Sequence, residues 1–110
     1  PDKKKLMQLK ENTLKFSNKA VTTLIKVMKD SSYPEQNRWI ATFLLGQIMG
    51  VKSAPFVAKF VSHPHWMMRL AALKTLLALK QDKYIAHYAS ALKDPSLMVR
   101  YQALENVERM

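Results

Sequence analysis

Residues 93–104 read Lys93-Asp94-Pro95-Ser96-Leu97-Met98-Val99-Arg100-Tyr101-Gln102-Ala103-Leu104, and the way this stretch recurs decides the fold. A proline closes the segment before it and fits the first turn of the helix after it, because its missing N–H has no intrahelical partner there in any case. Five residues beyond the proline comes an arginine, and three further on an alanine. The same arginine–alanine pair stands 31 residues earlier as Arg69 and Ala72, and 31 earlier again as Arg38 and Ala41. Seven residues past the arginines stand Leu45, Leu76 and Val107, and ten past stand Ile48, Leu79 and Met110. That apolar series has helical rather than strand periodicity. Upstream, Pro34, Pro64 and Pro95 precede the three arginines, so the chain holds three copies of one unit.

Each proline also follows an amphipathic stretch. Ala20, Val21, Leu24, Ile25, Val27 and Met28 form the broad buried face of a helix. The second copy starts with Ser53 as a predicted N-cap and Pro55 in the first turn, then carries Phe56, Val57, Phe60 and Val61; the third runs Tyr84, Ile85, Tyr88, Ala89 and Leu92. Every unit is therefore helix, proline turn, helix, with units at about residues 18–50, 53–80 and 83–110. A further basic helix is predicted over 4–16, with Leu6, Leu9, Thr13 and Phe16 on one stripe, packing on the first unit as a cap. The reading is seven helices and no strand in one domain of 110 residues, with short links near 17–19, 50–52 and 80–83 making neighbours antiparallel.

The motifs Lys-Asp-Pro-x-x-x-Val-Arg-x-x-Ala-Leu at 93–104 and Arg-x-Ile-Ala-x-x-Leu-Leu-Gly-x-Ile at 38–48 resemble the HEAT repeat family, in particular its short bacterial units. The resemblance implies an all-α, right-handed α-solenoid of three helical hairpins with an additional N-terminal helix, the second helix of each hairpin lining the concave side. Stacked hairpins share a continuous core that no single pair could form, and Ala41, Ala72 and Ala103 permit close helix approach. Asp30 and Asp94 stand before two of the turns and His63 before the other. A partly buried arginine needs an anion, so Asp30 is expected to hold Arg38, and Asp94 to hold Arg100.

Composition excludes several classes of function. With no cysteine there is no disulfide, thiolate nucleophile or zinc–thiolate site. His63, His65 and His87 do not have the i, i+4 spacing of a hydrolytic zinc helix, and Gly46 and Gly50, the only glycines, form no phosphate loop. The eight carboxylates stand singly among lysines, without an acid/base pair. No enzyme chemistry, metal site or cofactor is expected. The longest uncharged run, Trp39 to Val51, is too short for a membrane helix. Pro1 at the start, with no initiator Met or signal-peptide pattern, predicts a piece of a longer protein.

Two surfaces remain. Positions one, five and nine past each arginine fall off the buried stripe and are predicted to line the concave face: Trp39, Phe43 and Gln47, then Leu70, Lys74 and Ala78, then Tyr101, Glu105 and Arg109. Of these, Trp39, Phe43, Leu70, Lys74, Tyr101 and Glu105 are the candidate site for a protein or peptide segment. A second apolar patch is expected at the turns, around Trp66, Met67, Leu97 and Met98. The net charge is +10, and half of that excess lies in the first 30 residues, which hold eight lysines against three acids. Lys3, Lys4, Lys5, Lys10, Lys15 and Lys19 are candidates for polyanion contact, which supports the alternative of a nucleic-acid-binding module gripping the phosphate backbone. Val107 and Met110 at the end of the last unit predict a homodimer or a longer array.

Overall fold

The computed structural model describes the backbone of residues 2–110; the side chains of Asp2, Lys10, Thr13 and Leu14 lie outside the described residues. Six α-helices follow one another: α1 (Asp2–Lys29), α2 (Glu35–Met49), α3 (Ala54–Ala58), α4 (Trp66–Ala78), α5 (Ile85–Ala91) and α6 (Leu97–Glu108). Turns of 3₁₀ helix at Gly50–Ser53, Lys59–Ser62 and Asp82–Tyr84 join or extend them, and there is no strand among the described residues. Helices α2, α4 and α6 pack side by side as one layer, and α1, α3 and α5 each pack on the second helix of their own unit. This is an all-α solenoid of three hairpins.

The break expected at 17–19 does not occur, so the separate 4–16 helix and the first helix of unit one are a single helix of 28 residues. Ser17-Asn18-Lys19 contains neither Pro nor Gly, so nothing there breaks the ladder, and within the continuous helix the hydroxyls of Thr22 and Thr23 bond to the carbonyls of Asn18 and Lys19 at 3.0 Å. At 1.5 Å per residue α1 is about 42 Å long, nearly twice its partner α2. Its N-terminal half is not a packed cap: Leu6, Met7, Leu9 and Phe16 are all exposed.

Two clusters form the core. Met28, Ala41 and Leu45 join Val21, Leu24 and Ile25 between α1 and α2, while Val57, Leu73, Leu76, Tyr88, Val99 and Ala103 join units two and three, with Phe60 touching both clusters. The small residues work as expected, since Ala41, Ala72 and Ala103 are all buried. Gly46 marks a close approach: a Cβ there would lie 2.6 Å from Cγ2 of Thr75, so α2 meets α4 backbone-to-side-chain. Gly50 ends α2 at φ 59°, a conformation that glycine adopts without penalty. Ser53 does not cap α3; it lies in the preceding 3₁₀ turn and its hydroxyl donates to the carbonyl of Gly50 at 2.7 Å. The segment Glu35–Ser62 is long and apolar enough to cross a membrane by length and composition alone, but the chain turns at Gly50 and its Ala41, Leu45, Val57 and Val61 belong to the core.

The turn ladder is displaced by one unit from the expected pairing. Arg100 donates to the main-chain carbonyls of Asp94 and Pro95 at 2.7 and 3.2 Å, and Asp30 accepts the N–H and hydroxyl of Ser32 at 2.9 and 2.7 Å. Arg69 holds the carbonyls of its own turn, His63 and Pro64, at 2.9 Å each. It then reaches forward to the carboxylate of Asp94 with Nε and Nη2, at 2.8 and 3.0 Å. Arg38 is held differently: Nε and Nη2 donate to the carbonyl of Met28 at 3.0 and 2.7 Å, Nη1 lies 3.5 Å from Glu35 of its own helix, and Nη2 faces His63 at 3.1 Å. Stacking brings the next unit's turn beside Arg38 and Arg69, where His63 and Asp94 face them; the carboxylate on Arg38 is Glu35 rather than Asp30, and that of Asp94 holds Arg69 rather than Arg100.

Candidate partner-binding surface

The layer α2–α4–α6 carries the predicted face, and its positions are not equivalent. Trp39 and Phe43 are half-buried and meet edge to face, ring centroids 5.0 Å apart. Leu70, at 8 % exposure, belongs to the core and does not reach the surface, so the proposed apolar ridge is interrupted at its middle. The cause is the central place of α4: it has a second helix on either side, and its apolar positions are covered from both. Tyr101, at the last unit, is 63 % exposed. Lys74, Ala78, Glu105 and Arg109 come together, lining one open groove of about 780 Å³ between the C-terminal halves of α4 and α6.

The groove has a polar floor. Gln102 donates to Oδ1 of Asn106 at 2.9 Å, and Asn106 donates in turn to the carbonyl of Leu73 in α4 at 2.9 Å, which fixes both amide orientations and ties the units together. Tyr88 donates its hydroxyl to the carbonyl of Gln81, and burial pushes its phenol up to about 12. The rim is mixed in sign: Lys74, Lys80 and Arg109 alternate with Asp82 and Glu105, and Arg109 lies 4.0 Å from Glu105. Such a rim offers donors and acceptors to a peptide main chain, but sets carboxylates against a phosphate chain.

The floor residues were not among the sequence candidates, although a signal exists. At two and six residues past the arginine the units read Ile40 and Leu44, Ala71 and Thr75, Gln102 and Asn106. These positions face the preceding unit's second helix: Ala71, Thr75, Gln102 and Asn106 are buried, whereas Ile40, Leu44 and Ile48 on α2 form an exposed apolar row. At the turns, Trp66, Leu97 and Met98 are exposed, with Trp66 stacked on the His65 ring and Met67 half-buried. Val107 packs against the core of the last units, while Met110 stays exposed. The lysines lie elsewhere: Lys3, Lys4, Lys5, Lys15 and Lys19 are exposed along α1, which packs chiefly on α2, and the side chain of Lys10 is outside the described residues.

Comparison with known families agrees with this architecture, since the model of the HEAT repeats matches residues 21–108. The chain belongs to the HEAT repeat family. The match begins within α1 and takes in all three hairpins. No curated protein and no solved structure matches the chain. HEAT repeats generally mediate protein–protein interaction as scaffolds, and the family is typically non-catalytic. No group of three or more His, Asp or Glu side chains that could hold a metal exists among the described residues.

Proposed function

We propose that this HEAT domain is a non-enzymatic scaffold that holds an extended protein segment along the α4–α6 groove, with Trp39 and Phe43 at one end of the same helical layer and Tyr101 at the other. The observation that carries the reading is that Lys74, Ala78, Glu105 and Arg109, from two different units, line one groove whose floor is fixed by the Gln102–Asn106–Leu73 hydrogen bonds. A rigid floor lowers the ordering cost of binding, and a rim of alternating charge selects register. The half-buried aromatic pair and Tyr101 supply apolar anchors of the kind that dominate such interfaces.

Peptides selected from a random library against the whole chain test this by amide chemical-shift mapping. Shifts at 74–82 and 101–109, and at least tenfold weaker binding in Lys74→Glu and Glu105→Lys, are expected, about 1.4 kcal/mol or more. Shifts confined to the lysines of α1, or binding of a generic DNA duplex whose log affinity falls steeply and linearly with log salt, would favour a phosphate-backbone binder instead.

A further inference from the structure

The N-terminal half of α1 carries a surface that the groove does not use. Leu6, Leu9, Thr13, Phe16 and Ala20 follow one another at intervals of three, four, three and four residues, which is the a/d repeat of a coiled-coil seam. Leu6, Leu9 and Phe16 face solvent, at 58 %, 62 % and 75 % exposure, and Ala20, where the seam runs into the packed half of α1, is half-buried. At 100° per residue these three fall within an arc of about 80°, the width of a coiled-coil seam. Met7 is also exposed, at a b position about 100° from Leu6 and outside the e flank of the seam. In the same register Lys5 and Lys19 occupy g positions, Lys10 an e position, and the one acid between residues 3 and 19, Glu11, falls at f, away from the seam.

The flanking charge decides the occupant. A parallel second copy would set Lys5 at g against Lys10 at e of the partner strand, and an antiparallel copy would set lysines against lysines again, so like charges oppose self-pairing in both directions. A helix with apolar a and d residues and carboxylates at e and g meets no such repulsion. We propose that residues 3–19 are a coiled-coil docking seam for an acidic amphipathic helix of another protein, distinct from the α4–α6 groove. Because α1 outreaches α2 by nearly half its own length, that helix docks without disturbing the repeat core.

The test uses the whole chain and two synthetic three-heptad peptides with Leu at every a and d, one with Glu and one with Lys at every e and g, titrated by fluorescence anisotropy. Binding of the Glu peptide is expected, with the Lys peptide at least about tenfold weaker. Leu9→Ser with Phe16→Ser should weaken the Glu peptide by about tenfold or more, leaving the helical circular dichroism and the melting temperature unchanged because both side chains are exposed. Lys5→Glu with Lys19→Glu should reverse the preference between the peptides. The proposal is overturned if the two peptides bind alike, if the Ser variant binds as well as wild type, or if phosphatidylserine vesicles bind and the Glu peptide does not. It is also overturned if sedimentation shows a wild-type dimer that Phe16→Ser dissociates. None of these outcomes depends on whether the α4–α6 groove binds a peptide.

Discussion

Replacing Asp94 by alanine should cost about 3 kcal/mol. The carboxylate accepts two charge-assisted bonds from Arg69 at 2.8 and 3.0 Å and a third from the N–H of Ser96 at 2.8 Å, with the Arg69 and Asp94 side chains only 14 % and 9 % exposed. Bonds to charged groups are worth about 1.5–3 kcal/mol each, and stranding one member of a largely buried pair costs about 3–5 kcal/mol. Arg69 keeps its two bonds to the carbonyls of His63 and Pro64, which places the loss at the lower end. For a domain of this size about 3 kcal/mol lowers the melting temperature by roughly 12 °C or more. The assay is urea unfolding of wild type, Asp94→Ala, Arg69→Met and the double variant, where a coupling of about 2 kcal/mol is expected. Burial alone would raise the Asp94 carboxyl, but the hydrogen bonds from Arg69 and Ser96 outweigh it and hold the carboxyl below its ordinary 3.8. Since the folded state then binds fewer protons than the unfolded one, this stabilisation is complete above the unfolded value and fades as pH falls below it. A coupling within about 0.5 kcal/mol of zero, or a wild-type advantage that grows on acidification, would refute the ladder as the tie between units two and three.

The equivalent joint between units one and two is chemically mismatched. Nδ1 of His63 accepts the N–H of His65 at 3.0 Å, so in the neutral ring the proton sits on Nε2, which faces Nη2 of Arg38 at 3.1 Å, donor against donor. His63→Asp gives both neighbours an acceptor and should stabilise by about 1–2 kcal/mol in urea unfolding. Burial and then Arg38 depress the His63 pKa below its ordinary 6.5, so wild-type stability should fall as pH drops below that value while His63→Asp lacks this loss down to the carboxylate range. Gly46→Ala should lower stability by about 1–3 kcal/mol despite the better helix propensity, because the added methyl meets Cγ2 of Thr75, whose hydroxyl is fixed on the carbonyl of Ala71 at 2.7 Å. A raised melting temperature would contradict the close contact. Lys80, at φ 55°, ends α4 with its N–H on the carbonyl of Leu77 and that of Gln81 on the carbonyl of Leu76, so Lys80→Gly should raise the melting temperature by relieving about 1 kcal/mol of left-handed backbone cost.

Much of the solenoid is legible because its determinants are local. Pro34, Pro64 and Pro95 start helices, Ala41, Ala72 and Ala103 sit at the contacts, and the 31-residue period states the number of units. Local signals mislead where absence of a breaker matters more than a change in pattern: the pattern changes at Ser17-Asn18-Lys19, yet nothing there stops helix propagation. The candidate surface was legible only in part. Lys74 and Glu105 reach one groove as their register predicted, but Leu70, at the same register as the exposed Tyr101, is buried because α4 has a neighbour on both sides.

By itself the sequence determined the class, the repeat, the proline turns and the lysine excess along α1, since each depends on residue type and spacing within one or two helical turns. Only the tertiary structure decided which turn each arginine serves, which face positions stay open, and that Gln102 and Asn106 form a groove floor. A side chain of a given register has the same local geometry in every unit, but what lies opposite it depends on whether another unit is stacked there, and that information is not carried by neighbours in the chain.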